Sequence, residues 1–358
     1  MASNRQNPAS PSDAEEDITL LAHVKRQGAT GPAGQPGTIR ITAVEGESVD
    51  EAEGTAAFAR LPELIRLPNA SVWVDLVAPT PTQANQVGEA LGIHPLIVED
   101  VLEGNQRAKI ETTNGIVHIV LFHLTYGDVV LVSEIDIVLG RGFLLTVHNV
   151  DWDPRAGHHL AAGIGPVLKH GPDHLLWAIA DDLVDGYFPF ADRIGDAIDD
   201  VQDAVVRKAT PDTVERLFTL KRELIQVRRA ISPVREVFNQ LTNRDEQLID
   251  PEEVIYFRDI YDHVIRMTDE LDNYRELASA TLDVYLTQVN NNLSVIMKRL
   301  TGVTVILAGI GAVAGIFGMS EAATAINGGE GTGFWAITAL VVGAAAVAAV
   351  VLRRIDWI

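Results

Sequence analysis

A chain of 358 residues, 47% of them apolar, is long enough for about two domains and too apolar for wholesale disorder. Its 49 acidic against 28 basic residues, a formal net charge of −21, argue against a nucleic-acid partner, which needs clustered Lys and Arg. The same charge suits a protein that handles cations or one that is acidic for solubility, and the lack of cysteine excludes disulfides and thiolate-held metal.

The first 37 residues, rich in Ala, Ser, Gly and Pro, read as a disordered tail. Glu15, Glu16 and Asp17 stand where a secretory signal would carry its apolar segment, so the N-terminus is expected to stay in the cytoplasm. From Thr38, "TIRITAV" and "SVWVDLV" alternate as strands, "PTPTQANQVGEALG" and "HPLIVEDVLEG" read as helices, and "IVHIVLFHL", "VVLVSEIDIVLG" and "GFLLTVHNV" are β-branched strands divided by turn residues. Strands interleaved with helices predict a cytoplasmic α/β domain over residues 38–170.

From Asp173 no strand pattern remains. "HLLWAIADDLVDGYFPFADRIGDAIDDVQDAVV" is expected to form one helix, and Pro211 to Asn243 a second. A third opens at Asp250-Pro251 and meets no further Pro or Gly before Gly302; Ile260, Val264, Met267, Leu271 and Tyr274 give it an apolar seam. Unbroken to Gly318, it would rise roughly 100 Å. Residues 171–300 therefore read as a helical domain and stalk. Asp185, Asp192, Asp196, Asp199 and Asp203 form an acidic row, read as a solvated face.

Gly302 to Met319 and Phe334 to Leu352 carry no ionisable residue, and each approaches the ~20 residues that cross a bilayer. Lys298 and Arg299 precede the first run and Arg353 and Arg354 follow the second, while the loop between them holds Glu321 and Glu330 and no basic residue. That is the positive-inside pattern for two spans, 301–319 and 334–352, with an outer loop at 320–333 and a cytoplasmic C-terminus at 353–358. Trp335 and Trp357 suit the two interfaces. Glu321 and Glu330 would draw cations to the outer mouth. On the first span, Ser294, Met297, Thr301, Thr304, Ala308, Gly311 and Gly315 share one stripe of small and hydroxylated residues. Spacing alone leaves two readings for it, a pore lining or a close helix-packing face.

"GIHPLIVEDVLEGNQRAKIE" (92–111), "DDLVDGYFPFADRI" (181–194), the segment from "YFRDIYDH" to "VIMKRLT" (256–301) and "AGIFGMS" (314–320) closely resemble the CorA family of magnesium channels, in order over residues 40 to 358. The resemblance implies a homopentamer in the cell membrane, each copy with an α/β cytoplasmic domain, a long stalk helix that becomes the pore-lining span, and a second span packed outside. It places the stripe on the pore. It matches Gly318, Met319 and Ser320 to the Gly-Met-Asn of the family's outer filter, which holds hydrated Mg²⁺ through its waters. It further implies Mg²⁺ as both cargo and regulator, bound between subunits by Asp100 and Asp259, with Glu99 and Asp181 as candidates for a second ion. Facing carboxylates repel, and a hard divalent cation relieves the repulsion, so loss of the ion would let subunits shift and the pore open.

Two departures bear on selectivity. Ser320 replaces Asn with a shorter group that has one donor, and Ala308, Gly309 and Gly311 stand where the family carries bulkier residues and a Pro, which moves the expected apolar constriction toward Met297 and Leu300. The leading reading is Mg²⁺ uptake, with Co²⁺ or Ni²⁺ as further cargo. The alternatives are a proton-coupled zinc transporter of the related ZntB branch, or a non-conducting cation-sensing scaffold. No HExxH, P-loop or GxSxG is present, so no enzyme is expected. The His158-His159 pair reads as surface, its side chains directed to different faces of a helix.

Overall fold

A computed structural model describes residues 24–28, 37–126, 130–242, 248–318 and 332–354. In chain order come β1 (Val24–Gln27), β2 (Thr38–Glu45), β3 (Ser48–Glu53), α1 (Thr55–Leu64), β4 (Ser71–Val77), α2 (Pro81–Leu91) and α3 (Pro95–Glu103). β5 (Lys109–Thr113), β6 (Ile116–Tyr126), β7 (Val130–Gly140) and β8 (Phe143–His148) complete an eight-stranded sheet. Its order is β3-β2-β4-β8-β7-β6-β5; β4 and β8 are parallel, and the other neighbours on this path are antiparallel.

The stretch expected to be a disordered tail contains β1, which pairs parallel with Val130–Ser133 of β7. Four residues are too few for a periodicity to register in the sequence; the open edge of β7 beyond its pairing with β8 supplies the missing reason. The rest of that tail, residues 1–23 and 29–36, lies outside the described residues. The short β3, β5 and α1 were likewise not expected.

Alternation along β4 separates two environments. Val72, Val74 and Leu76 join Ala57 and Leu61 of α1, Val87 and Leu91 of α2, and Ile97, Val98 and Val101 of α3 in one buried cluster. The intervening Asp75 is fully buried, with Oδ1 accepting from Thr146 Oγ1 at 2.7 Å and lying 3.0 Å from His148 Nε2. Local chemistry sets the helix ends that matter below. α2 opens with a Thr80–Gln83 capping box and Pro81, and α3 with Pro95 after His94, whose ring accepts from the Leu96 N–H at 3.2 Å. α3 closes at Gly104 with φ 57°, a left-handed position that glycine adopts without strain.

After β8 come a 3₁₀ turn at Pro154–Ala156, α4 (Ile164–Leu168), α5 (Pro172–Asp185), α6 (Tyr187–Arg207), α7 (Pro211–Ile231), α8 (Val234–Leu241), α9 (Val254–Gly318) and α10 (Thr332–Arg354). No strand follows β8 among the described residues. Two helices expected to be continuous are broken, each for a proline. Pro189 cannot donate to the carbonyl of Asp185, so the chain steps at Gly186 and restarts with Pro189 in the first turn of α6, where a missing N–H costs nothing. Pro233 likewise separates α7 from α8. Only at Val254 does α9 begin, because the Glu253 N–H first closes a turn on the Asp250 carbonyl at 2.9 Å.

The chain divides into two compact units, Met1–Gln202 with Glu215–Ala280, and Asp203–Val214 with Thr281–Ile358. The division falls inside the stretch expected to be one helical domain and stalk. Up to Ala278, α9 buries its expected seam (Ile260, Val264, Met267 and Leu271 are all at most 1% exposed), with Tyr274 half-buried, and buries Phe257 as well. Beyond Thr281 most of its residues are exposed.

Candidate functional site

In the second unit, α9 and α10 pack through a restricted face. Val305, Ile306, Gly309, Ile310 and Val313 of α9 meet Val341, Ala344, Ala345 and Ala348 of α10 around a cleft of about 230 Å³. The small residues that permit this approach are the alanines of α10 and Gly309 of α9, beside β-branched residues of α9. Ser294, Met297, Thr301, Thr304, Ala308, Gly311 and Gly315 take no part in it, and all seven are exposed. At 100° per residue the centre of that stripe lies about 145° from the centre of the face that meets α10. The stripe therefore does not serve as the packing face for the chain's own second helix.

The stripe also has a chemical polarity. Ser294 Oγ donates to the Asn290 carbonyl at 3.0 Å, and Thr304 Oγ1 to the Leu300 carbonyl at 2.7 Å. With the hydroxyl proton committed to the helix, each oxygen turns acceptor lone pairs outward, the polarity that suits the waters of a hydrated cation. Met297 and Leu300, the expected constriction, are each 58% exposed. An 18-residue window within α9 has mean hydropathy 1.7 and is 6% buried, making α9 the one helix long and apolar enough to cross a membrane among the described residues. Gly318 is the last residue of α9. Met319 and Ser320 of the expected filter, and Glu321 and Glu330 of the acidic loop, lie outside the described residues.

The cytosolic carboxylates are distributed unevenly. Asp100, on α3, has its Oδ2 accepting from Lys109 Nζ at 2.5 Å, and Lys109 also reaches Glu111 at 3.0 Å. Burial works to lower the pKa of Lys109, but these bonds outweigh it and raise the value, so the ammonium stays charged beside Asp100. Asp100, Glu111 and the fully buried His118 have ligand atoms within 4.8 Å of one another. Glu99 is exposed. Asp259, on α9, is 70% exposed at its side chain and lies 3.7 Å from His263 Nε2 one turn on. His263 Nδ1 lies 3.1 Å from Asp185, and Asp181, Asp185 and His263 form a second group within 4.8 Å. The structure thus draws Asp181 and Asp259 toward one histidine.

Sequence reasoning missed His263, whose i+4 relation to Asp259 was visible on a helix, and Lys109, whose approach to Asp100 depends on the β5 connection. Asp185 belongs to this group rather than to the solvated acidic row. Asp192, Asp196, Asp199 and Asp203 are exposed, as that reading required. His158 and His159 are not on a helix; they lie in a turn, and their rings approach to 3.8 Å between centroids.

A family model described as CorA-like Mg2+ transporter protein matches residues 68–354. A cobalt/magnesium transport protein CorA of Thermotoga maritima is 36% identical over 255 residues, 69% of this chain and 72% of that protein. A putative metal ion transporter, YfjQ of Bacillus subtilis, is 30% identical over 249 residues, 69% of this chain and 78% of that one. Among solved structures, the CorA magnesium transporter of Methanocaldococcus jannaschii superposes with a TM-score of 0.72 at 20% identity, covering 91% of this chain and all of the other (100%).

Proposed function

The chain belongs to the CorA family and is a divalent-cation transporter of the membrane, not an enzyme; from that premise we propose that several copies, five on the family pattern, surround an axis with the bare stripe of α9 and admit Mg²⁺ to the cell. The observation that carries this is the division of labour on α9. One face takes α10, and a nearly opposite face keeps small residues and outward acceptor oxygens exposed. Two helices alone cannot enclose water, so a path needs further copies. Mg²⁺ dehydrates reluctantly, and a small-residue lining with acceptors suits an ion that keeps its waters. Gly318, Met319 and Ser320 would form the outer filter, and the acidic loop with Glu321 and Glu330 would concentrate cations there. Both termini face the cytoplasm on this reading, and inward flux gains about 4.6 kcal/mol per divalent ion at 100 mV.

Regulation follows from the carboxylates. Asp259 of one copy and Asp100 of the next would share a cation, Lys109 holding one oxygen of Asp100 and leaving Oδ1 for the ion. Asp181 and Asp185, gathered with His263 beside Asp259, would supply the carboxylates of a second site. Glu99, exposed on α3, is a weaker contributor. Occupied sites would hold subunits together and close the pore, making the cargo its own effector.

The test is ion flux into liposomes holding the purified protein, with Mg²⁺ and Zn²⁺ compared with and without a pH gradient. Mg²⁺ entry that Ala308→Phe abolishes, while Leu307→Phe leaves it intact, is expected; Leu307 is exposed but off the stripe. Zn²⁺ flux that needs a proton gradient, without Mg²⁺ flux, would assign the chain to zinc transport. No flux until Ser320→Asn is introduced would make it a sensor without a working filter.

A further inference from the structure

The β8–α5 connection carries a further cluster, whose His158, His159 and Asp182 take no part in the pore or in the sites above. Asp182 of α5 reaches back to the turn at Gly157. Its Oδ1 accepts from the His158 backbone N–H at 3.2 Å, and its Oδ2 from that of His159 at 3.3 Å. The His158 ring is paired with the same carboxylate through Nδ1. A side chain at Gly157 would collide with it, since a Cβ there would meet Asp182 Oδ2. The carboxylate is thus locked against the backbone that carries both imidazoles.

The second ring is held as firmly. His159 Nε2 lies 2.8 Å from Asp181 Oδ2, and its ring sits 3.8 Å from that of His158 and 4.5 Å from that of Trp177. His158, His159 and Asp182 each offer a ligand atom within 4.8 Å of the others. The carboxylate of Asp181 on one nitrogen of His159 sets the tautomer and leaves Nδ1 as the lone-pair donor, the arrangement that orients metal-binding histidines. Two imidazoles with one carboxylate is a donor set for Ni²⁺, Co²⁺ or Zn²⁺; Mg²⁺ takes oxygen ligands. Asp182 and His159 are mostly covered and His158 is 64% exposed at its side chain, so the site is anchored on one side and open on the other.

We infer that His158, His159 and Asp182, oriented by Asp181, form a binding site for a transition divalent cation, with ligands distinct from those of the carboxylate sites for Mg²⁺ although Asp181 borders both. An ion there would tie the β8–α5 turn to α5 and would respond to Ni²⁺ or Co²⁺ at Mg²⁺ concentrations that leave it untouched. The site goes beyond the transport reading and stands whichever ion the pore carries.

Trp177 beside His159 makes the site readable. The full-length protein in detergent is titrated with Ni²⁺ in an excess of Mg²⁺, following tryptophan fluorescence and, by equilibrium dialysis, the bound metal. Saturable binding with quenching that disappears in Trp177→Phe is expected. His158→Ala, at an exposed residue that leaves the fold intact, should weaken binding by roughly a hundredfold, and Asp181→Asn by about 10–100-fold. Absence of saturable Ni²⁺ binding, binding unchanged in both His158→Ala and His159→Ala, or full displacement by Mg²⁺ would overturn the assignment.

Discussion

The sheet of the first unit and the helix pair of the second are both built from Val, Ile, Leu and Ala, yet they treat these residues oppositely. Leu121, Ile135 and Ile137 are fully buried in the sheet, while Leu307, Leu340 and Val347 on the two long helices are 63%, 69% and 65% exposed. In water, the second arrangement would leave a large apolar surface unsatisfied. In a bilayer it costs nothing, because the lipid is as apolar as the side chains, and close contact is then made by small residues. The polar groups follow the same division. Asp75 and His118 are buried in the first unit beside partners such as Thr146 and Asp136, whereas the hydroxyls of α9 turn inward to their own helix.

Leu121→Ala should give the largest effect, lowering the stability of the cytosolic unit by about 2–5 kcal/mol in denaturant unfolding, because it opens a cavity in a packed sheet. Leu307→Ala, which opens none, should leave stability nearly unchanged; an equal loss at both positions would break the contrast. Leu340→Arg should oppose membrane insertion by about 3 kcal/mol and reduce the membrane-integrated fraction, whereas exposed apolar residues of a soluble protein accept Arg freely. Asp259→Ala should weaken closure by internal Mg²⁺, with a shift in the inhibitory concentration of about tenfold, the usual scale of coupling between sites. Inhibition that does not move would remove Asp259 from the sensor.

The smallest effect concerns Glu223 of α7, which is 7% exposed. Burial raises its carboxyl from 4.5 to about 7. Between those values the folded chain keeps a proton that the unfolded chain has released, so stability falls as pH rises through the window. Glu223→Gln should therefore gain on the order of 1 kcal/mol at about pH 8, after solvent screening, and little at about pH 4. Thermal unfolding at the two pH values checks it; a gain at the acidic end would contradict the burial argument.

Much of this is legible in the sequence. β2 and β4 followed from alternation, β6 to β8 from β-branched runs divided by turn residues, the α2 cap from Thr80 and Pro81, and the buried seam of α9 from Ile260, Val264, Met267 and Leu271. The missed breaks at Gly186 and Pro233 were also written in the chain, since an interior proline removes a helix hydrogen bond; strong periodicity on either side hid them. β1 could not be read, because a strand of four residues depends on the edge it finds.

The candidate sites divide along the same line. Charge-free length, flanking Lys and Arg, and the three-and-four spacing of Ser294 to Gly315 are properties of one segment meeting one solvent, and the sequence by itself determined them. Which face of α9 would stay bare, that Lys109 would hold Asp100, that His263 would stand beside Asp185 and Asp259, and that Asp182 would gather His158 and His159 were decided only by the tertiary structure. Each of those, apart from the turn between Asp259 and His263, joins groups from separate elements. Their separation in space is set by how the elements pack, and no local pattern of residues encodes it.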